Sequence, residues 1–342
     1  MAQSGDQRQS RFRIFLFLFS LTCGFSLALS TNVLRTVLGG AQHLQTVYEW
    51  KSLSREVSGL VRWAEEGKLH LAWVGDHEAV IHEAVLYGDQ LVVEGSMDFS
   101  GSLLARFSPC GNQKNPGCGK FSKLLTRQWE GIFRSPRGEY YVLHEMTGVI
   151  YIIAPGAQGQ GEMQGSIHIE VPQGVRVDPH HFAEGLFFAE SGDLWLVQEN
   201  PPHLHLYGRH PHKVGLPTHG QHFYRRMRSY KLPHTLAHCD LSEVAGIDSD
   251  ALFLLSQKCG WIGKVSMQQL LQEHVHRLDI VQKWLLPGHM RTAEGLAVLE
   301  EGVFIVGLDF KHASKSNLML LKSPMNGFTL SESPKVKELS QR

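Results

Sequence analysis

The chain has 342 residues, 42% of them hydrophobic and 19% charged, enough to bury a sizeable core. Its 33 basic and 33 acidic side chains give a formal net charge of zero, which excludes the basic footprint of a nucleic-acid-binding protein. The 20 histidines leave that balance sensitive to mild acid.

At the N-terminus Arg8, Arg11 and Arg13 precede an apolar run from Ile14 to Leu29, with the small residues Ala28 and Ser30 at its end. This is the pattern of a secretory signal peptide or of an uncleaved signal-anchor; the run is short for a membrane span of about 20 residues. Residues 1–30 are therefore expected to carry the body into the secretory pathway, secreted or held at the cell envelope, with membrane contact only through this segment. Residues 31–50 read as a lead-in, 51–324 as the folded body and 325–342 as a polar tail.

Beyond the lead-in, short β-rich runs alternate with Gly, Pro, Asn and Asp, and they repeat. Glu56–Leu60 is followed by Leu69–Val74, Trp129–Ile132 by Tyr140–Leu143, and Ala183–Leu186 by Leu194–Val197. Further on, Glu243–Ile247 is followed by Leu252–Leu255 and Ala293–Leu296 by Val303–Val306. Third strands such as Val149–Ile153 and Leu204–Tyr207 come after them. Five copies, roughly 50 to 70 residues apart, predict an all-β, five-bladed β-propeller, because a lone four-stranded sheet cannot bury both faces. The Gly at each repeat start fits strands that crowd together at an axis. Gly88–Lys123 reads as a long passage and Gly208–Tyr230 as a His- and Arg-rich excursion. Ser266–Arg277, with Met267, Leu270, Leu271 and Val275 in helical period, reads as one short helix or connector.

Past Cys23 stand Cys110, Cys118, Cys239 and Cys259, an even number that suits pairing in an exported chain. Cys110 and Cys118 would close a local loop. If the fourth unit turns near Ser249, Cys239 and Cys259 are equidistant from the turn and face each other within bridging reach. The lack of C-x-x-C argues against a zinc knuckle or a thioredoxin-type motif.

Phe182–Phe188 followed by Leu194–Pro201, Asp240–Gly246 with Leu254–Ser256, and Ala293–Ala297 are passages that resemble the SdiA-regulated family, five-bladed propellers of the bacterial envelope. The likeness runs from about Leu53 to Lys322. In that family the successive blades begin with Ser, Glu, Glu, Ser and Glu; here the position reads Ser58, Glu130, Glu184, Ala245 and Glu294. The same order is similar to the calcium site of calcium-activated nucleotidases (soluble apyrases). The resemblance thus implies a Ca2+ ion held by Glu130, Glu184 and Glu294, with Ser58 and Ala245 adding carbonyls or water contacts. Ala245 departs from the pattern by offering no hydroxyl.

Three carboxylates on one axis repel each other unless one is protonated or a cation joins them, and an oxygen-only set suits calcium better than zinc. Glu56 and Glu243, two residues upstream on the same strand face, are secondary candidates. His180 and His181 could reach the channel mouth. His77 and His82 miss the H-E-x-x-H spacing by one. His203, His205, His210, His212, His219 and His222 could bind transition metals, and Arg225, Arg226 and Arg228 an anion, although exposed polar surface accounts for both.

No G-x-S-x-G, P-loop or dinucleotide fingerprint is present. The reading is accordingly a non-catalytic, calcium-stabilised binding module whose small-molecule or protein ligand at the channel mouth is unidentified. Whether the chain is an enzyme stays open. The alternatives are a calcium-dependent hydrolase of phosphates or esters, with Arg127, Arg291 and Lys258 near the mouth, and a purely structural platform.

Overall fold

In a computed structural model of the chain the described residues are 41–52, 54, 56–107, 125–170, 182–247, 250–309, 316–324 and 326. They belong, Ala41 apart, to the unit Gln42–Arg342. The signal segment, the Cys110–Cys118 loop, His180 and His181 lie outside them.

Two short strands, β1 (Gln42–His43) and β2 (Gln45–Trp50), lead in. A first antiparallel meander follows: β3 (Gly59–Glu65), β4 (Lys68–Gly75), β5 (Glu78–Tyr87) and β6 (Gln90–Asp98). Its first turn, Glu66-Gly67, has positive φ at both residues, the backbone of a two-residue hairpin loop whose twist matches the strands. After helix α1 (Ser100–Phe107) comes a second meander, β7 (Trp129–Arg134), β8 (Tyr140–His144), β9 (Val149–Pro155) and β10 (Gly161–Ile169). The next comprises β11 (Gly185–Phe188), β12 (Leu194–Gln198), β13 (His203–His210) and β14 (Gly220–Lys231). Then come β15 (Glu243–Gly246), β16 (Ala251–Ser256), β17 (Trp261–Ser266), the one-turn helix α2 (Met267–Leu270) and β18 (Gln282–Leu285). The last meander is β19 (Ala293–Glu300), β20 (Val303–Leu308) and β21 (Leu318–Lys322), and β2 completes it antiparallel to β21.

Alternation along the second strand of each meander explains how the sheets stack. On β4, Leu69, Leu71 and Trp73 pack with Val303, Ile305 and Leu318 of the last meander, while Ala72 and Val74 pack with Ile132, Tyr140 and Val142 of the second. On β8, Tyr140 and Val142 face back to the first meander, whereas Tyr141 and Leu143 face Leu194 and Leu196 on β12. Trp195 and Val197 face Leu252 and Leu254 on β16, and Phe253 and Leu255 face Phe304 and Val306 on β20. Period-two side chains thus send each second strand into two neighbouring cores, and the series returns to its start. The first strands close the same circuit at the centre: β3 touches β7, β7 touches β11, β11 touches β15, β15 touches β19, and β19 touches β3. Sheets stacked cyclically about an axis of first strands define the β-propeller class. Gly59 shows why the repeat carries a glycine here. A Cβ on it would stand 2.8 Å from the Glu130 carbonyl oxygen of the next strand.

Three sequence expectations change. The passage Gly88–Lys123 includes strand β6 and helix α1. Much of the Gly208–Tyr230 excursion is β14, an outer strand that also pairs in parallel with β10, so the second and third meanders share one eight-stranded sheet. The helix at Ser266–Arg277 is a single turn, capped by Ser266 through the Gln269 N–H.

Candidate metal centre at the channel mouth

Hairpin register fixes which residues are equivalent at the start of each first strand. Gly59 pairs with Val74, Gly185 with Val197 and Glu243 with Leu255. The preceding residue in each case donates its backbone N–H to the same partner: Ser58 to Val74 O (3.1 Å), Glu184 to Val197 O (3.1 Å) and Ser242 to Leu255 O (2.9 Å). Glu130 and Glu294 are the extra residues of bulges just before Gly131 and Gly295. The equivalent set is therefore Ser58, Glu130, Glu184, Ser242 and Glu294.

Ala245 is not in it. Ala245 pairs with Phe253, three residues further along, and with Gly246 and Ile247 lines an axial cavity of about 180 Å³ beside Leu60, Phe133 and Phe187. The Ala-Gly dipeptide imitates the repeat, but the glycine position of this meander is held by Glu243. Ser242, whose hydroxyl lies 3.4 Å from the Ala293 carbonyl beside Glu294, supplies the oxygen that Ala245 lacks.

A second tier of acids stands opposite. Two residues beyond Val74, Leu143, Val197, Leu255 and Gly307 on the second strands are Asp76, Glu145, Glu199, Gln257 and Asp309. Gln128 ties two of them together, donating its N–H to Asp76 O (2.6 Å) and accepting from the Glu145 N–H (3.0 Å). Gln257 Nε2 donates to Glu294 Oε1 at 3.3 Å. The fourth meander is the neutral member of both tiers, with Ser242 and Gln257.

Electrostatics record the convergence. Glu130 is pushed well above the usual carboxylate range by burial and then by Glu184, Glu294, Asp76 and Glu145. Glu184 is raised by burial and by Glu145, Glu199, Glu294 and Asp76. Glu294 is raised by burial and by Asp309, Asp76 and Glu56, with Ser58 opposing. One of the Asp309 oxygens, Oδ1, is buried with no hydrogen-bond partner. Carboxylates so placed either take up protons or surround a cation. An oxygen-rich set with two hydroxyls and an amide fits a hard ion of flexible geometry.

The other candidates separate. Glu243 is a brace: its Oε1 accepts from the Val244 N–H (2.8 Å), it also accepts from the Leu186 backbone, and burial raises its pKa. Gly185 makes room for it, since a Cβ there would overlap Glu243 Oε1. Glu56 meets His77 instead, Oε1 to Nε2 3.3 Å. His82 lies on β5 between Glu78 and Ser96 and stacks on Trp73, away from His77. His205 is held between Gln198 Oε1 (2.9 Å) and Ser229 Oγ (2.8 Å), and burial lowers its pKa to about 3, so its ring is neutral. Among the described residues the β13–β14 histidines form no three-ligand cluster. Arg228 donates to the carbonyls of Leu270, Leu271 and Gln272 and so finishes α2. Arg225 and Arg226 pair across to Gly208 and Tyr207 on β13. Cys239 and Cys259 are joined, with a Cα–Cα distance of 5.4 Å.

Sequence reading missed Ser242 and the second tier. Aligning the second strands would have found the tier, because an acid or Gln follows each buried run at one offset.

Among solved structures, virginiamycin B lyase from Staphylococcus aureus is similar at 12% identity over 82% of this chain and 74% of that one, with a TM-score of 0.34. Myxococcus xanthus glutaminyl cyclase gives 10% identity over 82% and 97%, with a TM-score of 0.45. YCF48 from Cyanidioschyzon merolae gives 12% over 81% and 73%, with a TM-score of 0.36. At this level they assign neither activity nor ligand. No family model matches the chain, and no curated protein matches it in sequence. The SdiA-regulated resemblance therefore rests on its motifs alone.

Proposed function

We propose that the chain is a five-bladed β-propeller of the SdiA-regulated type, exported or membrane-anchored, that binds calcium at its channel mouth and serves as a binding module. Glu130, Glu184 and Glu294 would hold the ion, with Ser58 and Ser242 completing the inner tier and Asp76, Glu145, Glu199 and Asp309 adding to the negative potential that attracts it. The observation that carries this reading is the two-tiered arrangement, in which the leading influences on each glutamate after burial are other carboxylates. A bound ion would stabilise the assembly by neutralising this repulsion and would present open coordination positions to a ligand at the mouth.

Thermal unfolding with excess calcium and with a chelator tests it. At a calcium concentration 100 times the dissociation constant the folded state should gain about 2.7 kcal/mol. The gain should vanish in the Glu130→Gln/Glu184→Gln/Glu294→Gln variant. Coincident melting curves for the unmodified protein would refute the ion site, and calcium-dependent release of phosphate or of an ester product would replace the binding module with a hydrolase.

A further inference from the structure

A second cluster of donors stands beside the mouth. Glu56 lies on the approach to β3, and Asp76 and His77 form the turn between β4 and β5. The two segments come together because Gly75 has no side chain; a Cβ on it would be 2.5 Å from the Glu56 carbonyl oxygen. The Ser54 hydroxyl donates to that same carbonyl at 2.6 Å and fixes the approach. The donor atoms of Glu56, Asp76 and His77 all lie within 4.8 Å of one another. The Glu56 side chain is 10% exposed and that of His77 53%, so the carboxylate is set while the ring reaches it from the solvent side. Asp76 Oδ1 is buried with no hydrogen-bond partner. All three residues, with Arg127 and Glu78, line a cavity of about 430 Å³. Glu78 is engaged elsewhere, accepting from His82 at 3.0 Å.

We propose that Glu56, Asp76 and His77 form a second cation site that takes a divalent first-row transition ion, with Arg127 facing an anionic ligand that completes its shell. One imidazole and two carboxylates are a donor set for zinc, manganese or cobalt, in contrast to the oxygen-only tiers of the channel. Donors on one such ion stand about 2.0–2.2 Å from it, so small side-chain adjustments within this cluster bring all three onto one ion. Three protein ligands leave positions open, and the cavity has room for a small oxyanion. Asp76 belongs to both arrangements and would couple them. The proposal does not depend on calcium in the channel.

Cobalt(II) titration of the full chain, followed by its visible d–d absorption, tests it. The unmodified protein should bind one equivalent that excess calcium does not displace and that zinc does. His77→Ala, at a half-exposed turn position, should keep its circular dichroism and lose at least 30-fold in cobalt affinity together with the band; Asp76→Asn should weaken binding as well. The channel variant Glu130→Gln/Glu184→Gln/Glu294→Gln should retain the band while losing any calcium-induced shift in melting temperature, which separates the two sites. Inorganic phosphate should perturb the band, and less so in Arg127→Ala. No cobalt binding to the unmodified protein, undiminished affinity in His77→Ala, or loss of the band in the channel variant alone would overturn the proposal.

Discussion

Glu130, Glu184 and Glu294 make stability depend on pH in a definite direction. Each has a folded-state pKa above its unfolded value of about 4.3, so the folded state holds protons that the unfolded state has released. Below that unfolded value both states are protonated and nothing is lost. As pH rises toward and through the raised folded values the glutamates must ionise against each other, and stability falls. With a chelator present, melting temperature should therefore decline as pH rises above the unfolded glutamate range, and the triple Gln variant should flatten the decline; a calcium-loaded protein should show less of it. A rising profile in chelator would mean that cationic groups, not the other acids, dominate these positions. Glu243 is different in kind, because its carboxyl accepts two backbone N–H groups, that of Val244 on its own strand and that of Leu186 across the seam on β11. Glu243→Gln keeps that acceptor and should be near neutral. Glu243→Ala leaves two buried donors unmet and should cost about 2–4 kcal/mol in chemical denaturation. Its place also explains the error at Ala245: from the residues alone Ala-Gly looked like a repeat start, whereas the pairing with Leu255 puts Glu243 in the glycine position and Ser242 before it.

At the scale of elements, hairpin register was the most legible feature. Val244 opposite Leu254 is the pairing expected of a turn at Ser249, and the same register extended outward joins Cys239 to Cys259. Replacing both cysteines by serine should cost about 3 kcal/mol for a loop of this size, read as a lower denaturation midpoint with a somewhat steeper slope as the unfolded chain expands. An unaltered midpoint would show that the Asp240–Ser256–Lys258 hydrogen bonds hold this turn on their own. Second strands were legible because both their faces are buried, giving continuous runs such as Leu194–Val197. Outer strands were not. β14 exposes Phe223 and Met227 among arginines and histidines, so its composition reads as loop, and only its pairing to β13 and β10 makes it a strand. Of the short helix or connector expected at Ser266–Arg277 one turn is helical, and Arg228 binds the Leu270, Leu271 and Gln272 carbonyls at its end from outside the segment.

For the whole molecule the decisive contact is the one between its ends. The last meander has three strands of its own, and β2, some 270 residues earlier in the chain, supplies the fourth. Without it Leu318 and Leu320 would sit on an open edge, and the cyclic stack of cores would have a seam with nothing across it. Trp50 is the residue that spans this seam. It ends β2 opposite Leu318, packs in the core shared by the first and last meanders, and donates its indole N–H to the Asp89 carbonyl at the β5–β6 turn (2.8 Å). Removing it should cost about 3–5 kcal/mol. How that loss is distributed distinguishes two pictures of the fold. If the ring is one cooperative unit, native-state hydrogen exchange in Trp50→Ala should accelerate to the same extent on second strands far from the seam, such as β12 and β16, as on β21. Acceleration confined to β2, β21 and the first meander would mean that the ring opens locally at its closure, and that the acidic mouth survives on the remaining sheets.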